Sequence, residues 1–314
     1  MTDQHCRACR HPLETGLDRY LFCSNCGSAN YFSAAGAESD NCAYFNALHG
    51  DTGRRPLFQR QQFYHACEAR YVRWFAAGER EGFTALLEEI EKRILAAGIA
   101  VEVGFGSGAE LKRLLDAGAN LYGLDLADTA VDAFRRRHPD YAGRVACGTR
   151  LDRPVDLVYS NALFEHLDRP DHFLTNLAAT LSPNGVLVLR LPVITARNVT
   201  LDATAVDINF WRPCHRVLYT MRGLAQLLER YGFRIIRHAA FHYYGYRVMN
   251  RMLQAGYDDI RQVRNPYHSM RGLQSDKTYR LLLLKAFFTR TLCAEMAIIA
   301  QHGADDRERG PDDA

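Results

Sequence analysis

The stretch "VEVGFGSGAEL", residues 101–111, decides how the chain is read. An apolar run enters it, three glycines interrupt it and an amphipathic pattern leaves it, which is the signature of strand, loop and helix. Two spacings fit. Gly104, Gly106 and Ala109 make G-x-G-x-x-A, while Gly104, Gly106 and Gly108 make the tighter G-x-G-x-G. In either case the glycines let backbone approach a ligand without a side chain in the way.

Around that loop, from about residue 98 to 240, short apolar runs alternate with helical patterns. The runs are "IAVEVG", "NLYGLD", "RVAC", "VDLVYS", "GVLVLRL" and "FRIIRHAAF"; the helical patterns include "VDAFRRRH", "PDHFLTNLAATL" and "MRGLAQLLERYG". Alternation of this kind predicts an α/β fold, a Rossmann-like, doubly wound, mainly parallel sheet covered on both faces. The chain divides into a cysteine-bearing module (1–30), a helical linker or cap (31–97), the cofactor domain (98–301, with an insertion over 241–290) and an acidic tail (302–314) expected to be disordered.

Bulk numbers exclude several classes. At 314 residues, with 47% hydrophobic and 24% charged residues, the composition is that of an ordinary globular protein. The net charge of +3 is too small to argue for nucleic acid or an anionic membrane. Lysine occurs only at Lys92, Lys112, Lys277 and Lys285, an arginine bias that reads as GC-rich bacterial coding. "MTDQHCRACR" lacks the apolar core of a signal peptide. The run 281–300 carries Lys285, Arg290 and Glu295, which argues against a membrane span. A cytoplasmic location is expected, and there nine cysteines point to metal or free thiols before disulfides.

Asp125 closes the second strand, "LYGLD", and a carboxylate there can accept both hydrogen bonds of a ribose diol. Loop and acid together indicate an adenosine-type cofactor, NAD or S-adenosylmethionine, without choosing between them. Glu102 chooses. A pyrophosphate at the helix start would be repelled by an extra carboxylate, whereas the ammonium and sulfonium of S-adenosylmethionine suit it.

Five ordered segments then carry a resemblance: "VEVGFGSG", "LYGLDLAD", the turn "VYSNALFEHL", "LSPNGVLVLRLP" and "HRVLYTMRGLAQLLERYGFRII". Over roughly residues 98–240 the chain resembles class I S-adenosylmethionine-dependent methyltransferases. The resemblance implies a seven-stranded sheet with "CAEMAIIAQ" as its last, antiparallel strand. It also implies that Gly104, Gly106 and Gly108 shape the cofactor loop, that Glu102 orients the loop or the methionine amine, that Asp125 takes the ribose and that Leu126 packs on adenine. The family's acidic residue after the third strand is missing from "VACGTRLDRP", which leaves Thr149 as a polar substitute and Asp152 as a late candidate. Asn161, closing the fourth strand, belongs with the cofactor-binding candidates.

Cys6, Cys9, Cys23 and Cys26 form C-x2-C-x13-C-x2-C, two knuckles able to surround one structural zinc ion. A closed four-thiolate site folds its module and does no chemistry, so chelation is expected to unfold the module and spare the cofactor domain. A zinc ribbon ahead of such a domain resembles both ribosomal RNA guanine methyltransferases and sugar methyltransferases of bacterial glycan and antibiotic pathways. Residues 1–30 balance three arginines with three acids, so they lack the positive face that RNA docking needs.

Methyl transfer to a hydroxyl or carbon acid needs an aligned nucleophile and a place for its proton. His166, in the turn after the fourth strand, and His215, ending the long segment after the fifth, are the catalytic candidates, with Asp207 third. Asn209, Trp211, Tyr243, Tyr244 and Tyr246 are candidate pocket residues. The arginine- and tyrosine-rich insertion, with "LLLLKAFF" behind it, suggests a small-molecule or glycan acceptor, phosphorylated, nucleotide-linked or lipid-linked, with peripheral membrane contact. RNA is the alternative acceptor, and a catalytically dead binding subunit the alternative role.

Overall fold

A computed structural model of the chain describes residues 4–16, 20–32, 77–148, 152–194, 215–245 and 292–303. A short hairpin, β1 (Tyr20–Phe22) and β2 (Ala29–Tyr31), comes first. Helix α1 (Ala77–Ala96) follows, burying Phe83, Leu86, Ile90 and Ile94 at helical spacing. The βαβ alternation then begins: β3 (Ala100–Val103), α2 (Ala109–Asp116), β4 (Leu121–Asp125), α3 (Asp128–Arg137), β5 (Val145–Cys147) and β6 (Val155–Asn161). After a 3-10 turn at Phe164–His166 come α4 (Pro170–Thr180), β7 (Leu181–Val193), β8 (Val217–Leu218), α5 (Met221–Arg230), β9 (Phe233–Gly245) and β10 (Leu292–His302).

Seven strands form the main sheet in the order β5-β4-β3-β6-β7-β10-β9. Pairs from β5 through β7 are parallel, and β10 runs antiparallel to both its neighbours. This is the Rossmann-like sheet with a reversed last strand that the sequence leads us to expect. One face is covered by α1, α2 and α3, whose Ile90, Leu111 and Phe134 pack with Val188 and Ile299; α4 and α5 cover the other through Leu174, Leu177, Leu224 and Leu227. The direction of winding reverses between β3 and β6, so the crevice for a ligand lies at the carboxyl ends of these strands.

The cysteine module is part of this body. β2 pairs with β8, setting Ala29 opposite Leu218 and Asn30 opposite Val217. Cys6, Cys23 and Cys26 share one apolar cluster with Val193, Leu224 and Leu227. Thr220 joins the two parts: its side chain caps α5 by accepting from the Gly223 N–H at 3.0 Å, and its hydroxyl donates to the Cys26 carbonyl at 2.5 Å. Gly223 itself leaves the room, since a Cβ there would stand 2.2 Å from Ser28 Oγ and 3.1 Å from Cys26 Sγ. Arg7 donates to the Asp168 carbonyl at 3.0 Å and to Asp168 Oδ1 at 3.1 Å, and Arg10 pairs with Asp171 at 2.7 Å. Because the core is shared, metal loss is expected to reach the cofactor domain as well as the module.

Candidate functional site

The glycine loop joins β3 to α2, and its backbone selects the tighter spacing. Gly104, Gly106 and Gly108 have φ of 76°, 52° and 70°, left-handed values that favour glycine, while Ala109 already belongs to the helix. Asp125, at the end of β4, fastens the loop: Oδ2 accepts from Gly106 N–H and Oδ1 from Ala127 N–H, each at 2.9 Å. A carboxylate oxygen has a second lone pair, so both remain able to accept from a ligand.

Glu102 is buried in β3, and its Oε2 has no hydrogen-bond partner among the described residues. Burial first, then the neighbouring charges of Glu110 and Asp125, push its carboxyl up to about 8. An orphaned buried carboxyl beside a glycine loop fits a cationic ligand end. Leu126, just past β4, is 56% exposed and so open to a flat ring lying on it. The residues present therefore fit an adenosine-type cofactor carrying a positive charge.

Across the crevice, the turn after β6 starts with Ala162 at φ 52°, an unfavourable conformation for alanine, as Asn161 ends the strand. Leu163 follows, and its side chain would lie 3.0 Å from a Cβ placed on Gly104, so turn and glycine loop touch. Glu165 and His166 close this turn, both buried. The Arg216 N–H donates to the Glu165 carbonyl at 2.7 Å and thereby brings His215 alongside. The two imidazoles stand edge to face with centroids 4.5 Å apart. Their Nε2 atoms lie 3.8 Å (His166) and 4.0 Å (His215) from Glu165 Oε1. Burial pushes the Glu165 carboxyl up to about 8 and, with His166 adding to the effect, holds His215 well below the usual imidazole range.

The structure thus brings together His166 and His215, predicted separately, and sets Glu102, the three glycines, Asp125, Leu126 and Asn161 around one crevice. Asp207, Thr149, Asn209, Trp211, Tyr246 and the insertion arginines lie outside the described residues. Asp152 is described and exposed. Sequence reasoning missed Glu165 as a site residue, because a glutamate beside a histidine reads as an ordinary polar turn.

The four module cysteines meet as their spacing predicts. Cys6 and Cys26 sulfurs are 3.7 Å apart, Cys9 and Cys23 sulfurs 3.4 Å, and all four lie within 4.8 Å of one another. Sulfurs at about 2.3 Å from a tetrahedral ion stand about 3.8 Å apart. These thiols fit a zinc ion, and they are too far apart for disulfides.

Residues 75–238 match the methyltransferase-domain family, which covers more than half of the chain. The chain belongs to that family, and the protein is a methyltransferase-fold member of the α/β class. It is 30% identical over 97 residues to a trans-aconitate 2-methyltransferase of Rhizobium rhizogenes, a match covering 30% of this chain and 38% of that one. It is also 30% identical over 90 residues to the biotin biosynthesis bifunctional protein BioHC of Cellvibrio japonicus, covering 27% and 18% of the two chains. The matches therefore span well under half the length of either relative. Among solved structures, geranyl diphosphate C-methyltransferase from Streptomyces coelicolor A3(2) aligns with a TM-score of 0.50 at 13% identity, over 86% of this chain and 99% of that chain. A likeness at that identity speaks for the fold.

Proposed function

We propose that the protein transfers a methyl group from S-adenosylmethionine to a small-molecule or glycan acceptor in a bacterial biosynthetic pathway. The observation that carries this reading is Glu102, a buried carboxyl with an orphaned oxygen beside a glycine loop that Asp125 holds in place. A carboxylate at that position suits the cationic methionine end of the cofactor and repels a pyrophosphate. Gly104, Gly106 and Gly108 admit the cofactor backbone, Asp125 accepts from the ribose with its remaining lone pairs, Leu126 packs against adenine, and Asn161 and Thr149 complete the set. When bound, the cofactor supplies a methyl carbon already activated by its sulfonium.

The acceptor sits on the His166–His215 side, with Asp207 the third candidate for handling its proton. The cysteine module holds a structural zinc ion and props that side of the crevice. Its arginines support this use over RNA docking, since Arg7 and Arg10 are engaged with Asp168 and Asp171. No helix among the described residues is long and apolar enough to cross a membrane; the acceptor is met in the cytoplasm, with peripheral membrane contact if it is lipid-linked. Incubation with methyl-labelled cofactor and separate pools of nucleotide sugars, lipid-linked glycans and total RNA tests the acceptor class. Label entering RNA alone would overturn it.

A further inference from the structure

We propose that Glu165, His166 and His215 form a binding site for a divalent first-row transition ion, distinct from the four-cysteine site. Two imidazole nitrogens and one carboxylate oxygen are a donor set that takes such ions and leaves coordination positions open for a further ligand. The three donor atoms lie within 4.8 Å of one another. The distances of 3.8 Å and 4.0 Å from Glu165 Oε1 to the two Nε2 atoms are too long for hydrogen bonds. Two donors about 2.1 Å from one ion, about 110–120° apart, stand about 3.4–3.6 Å from each other, so a closure of about half an ångström would bring them to a shared ion.

A second, independent observation points the same way. Glu165 is 1% exposed, and its Oε2 has no hydrogen-bond partner among the described residues. A buried carboxylate oxygen without a partner is costly, and an ion would satisfy it. The donors are also built in. The His166 N–H donates to the Leu163 carbonyl at 2.9 Å, the Arg216 N–H to the Glu165 carbonyl at 2.7 Å, and Tyr20 of the cysteine module to the His215 carbonyl at 2.9 Å. Residues fifty positions apart are thus fixed by backbone anchors before any ligand arrives.

The site stands apart from the methyl-transfer reading, but its use rests on it. Leu163 abuts Gly104, so the turn that carries two of the donors also borders the glycine loop. The ion's open positions suit an acceptor hydroxyl, whose proton it would make easier to lose. The two histidines would then serve as ligands, and neither would act as a free base.

Cobalt(II) added to protein whose cysteine site holds zinc tests the proposal. We expect about one ion bound per chain with the weak visible bands of nitrogen and oxygen ligation and without the intense thiolate charge-transfer bands of a cysteine site. Proton NMR should show paramagnetically shifted imidazole N–H signals from two histidines. Glu165→Gln, which preserves the side chain's shape, should weaken cobalt affinity at least about tenfold. Wild-type protein that leaves cobalt free, a complex without shifted imidazole signals, or unchanged affinity in Glu165→Gln would each overturn the site. Calorimetry with S-adenosylhomocysteine on the same cobalt-free samples reports separately on the cofactor reading.

Discussion

The hydroxyl of Tyr20, in the cysteine module, donates a hydrogen bond to the carbonyl oxygen of His215 at 2.9 Å. The residue that opens β1 therefore holds the backbone of a histidine 195 positions away, at the edge of the crevice. Together with the pairing of β2 and β8, this makes the cysteine module a support for the site. Tyr20→Phe should cost about 1 kcal/mol of stability and lower kcat more than it raises the cofactor Kd. Steady-state kinetics beside calorimetry would check the split.

Metal removal follows from the same contact. Stripping the four cysteines should lower the melting temperature of the whole chain in one cooperative transition, because Cys6, Cys23 and Cys26 share their core with Leu224 and Leu227. Calorimetric scans resolving two separate transitions, with the cofactor domain unmoved, would show the module to be independent.

Gly108 carries a sharper steric demand. Its φ is 70°, and a Cβ there would lie 2.2 Å from Phe134 Cδ2 inside the core under α3. Gly108→Ala should destabilise the protein by about 1–3 kcal/mol and weaken cofactor binding through the displaced loop. Denaturant melts give the first quantity.

Asp125 fastens the glycine loop, apart from the ribose contact proposed for it. Since its two oxygens hold Gly106 and Ala127 N–H groups, Asp125→Ala should lose stability in the absence of any ligand, by about 1.5–3 kcal/mol for each charge-assisted bond at most. A variant that melts like wild type would remove the loop-fastening role.

Glu102 sets a pH dependence. Its folded carboxyl titrates at about 8, above the unfolded value of about 4.3. The stability this confers is present below the unfolded value and is lost as pH rises towards 8. Glu102→Gln should therefore gain on wild type with rising pH, the difference levelling off above about 8. A cationic ligand favours the ionised carboxylate, so binding below pH 8 should release a proton from wild type and none from Glu102→Gln. Calorimetry in two buffers of different ionisation enthalpy counts that proton.

Much of this was legible in the chain. Alternating apolar runs gave the strands, and the glycine spacing placed the loop, because both are short-range patterns that propensity and sterics dictate. The four cysteines announced their cluster by spacing. The docking of the module was not legible, since β2 meets β8 nearly two hundred residues later and neither strand exceeds three residues. Arg216 is fully buried although arginine next to histidine reads as surface. Glu165 escaped for the same reason: only the fold shows its side chain buried and its carbonyl held by the Arg216 N–H.

The central claim, a cationic adenosine cofactor in the β3–β6 crevice, is tested most directly by titrating S-adenosylmethionine into wild-type protein and into Glu102→Gln. The account predicts about one equivalent bound to wild type and at least about a tenfold weaker affinity in the variant, as expected for a lost charge-assisted contact of about 1.5–3 kcal/mol. No binding by wild type, or equal affinity in the two, would contradict it.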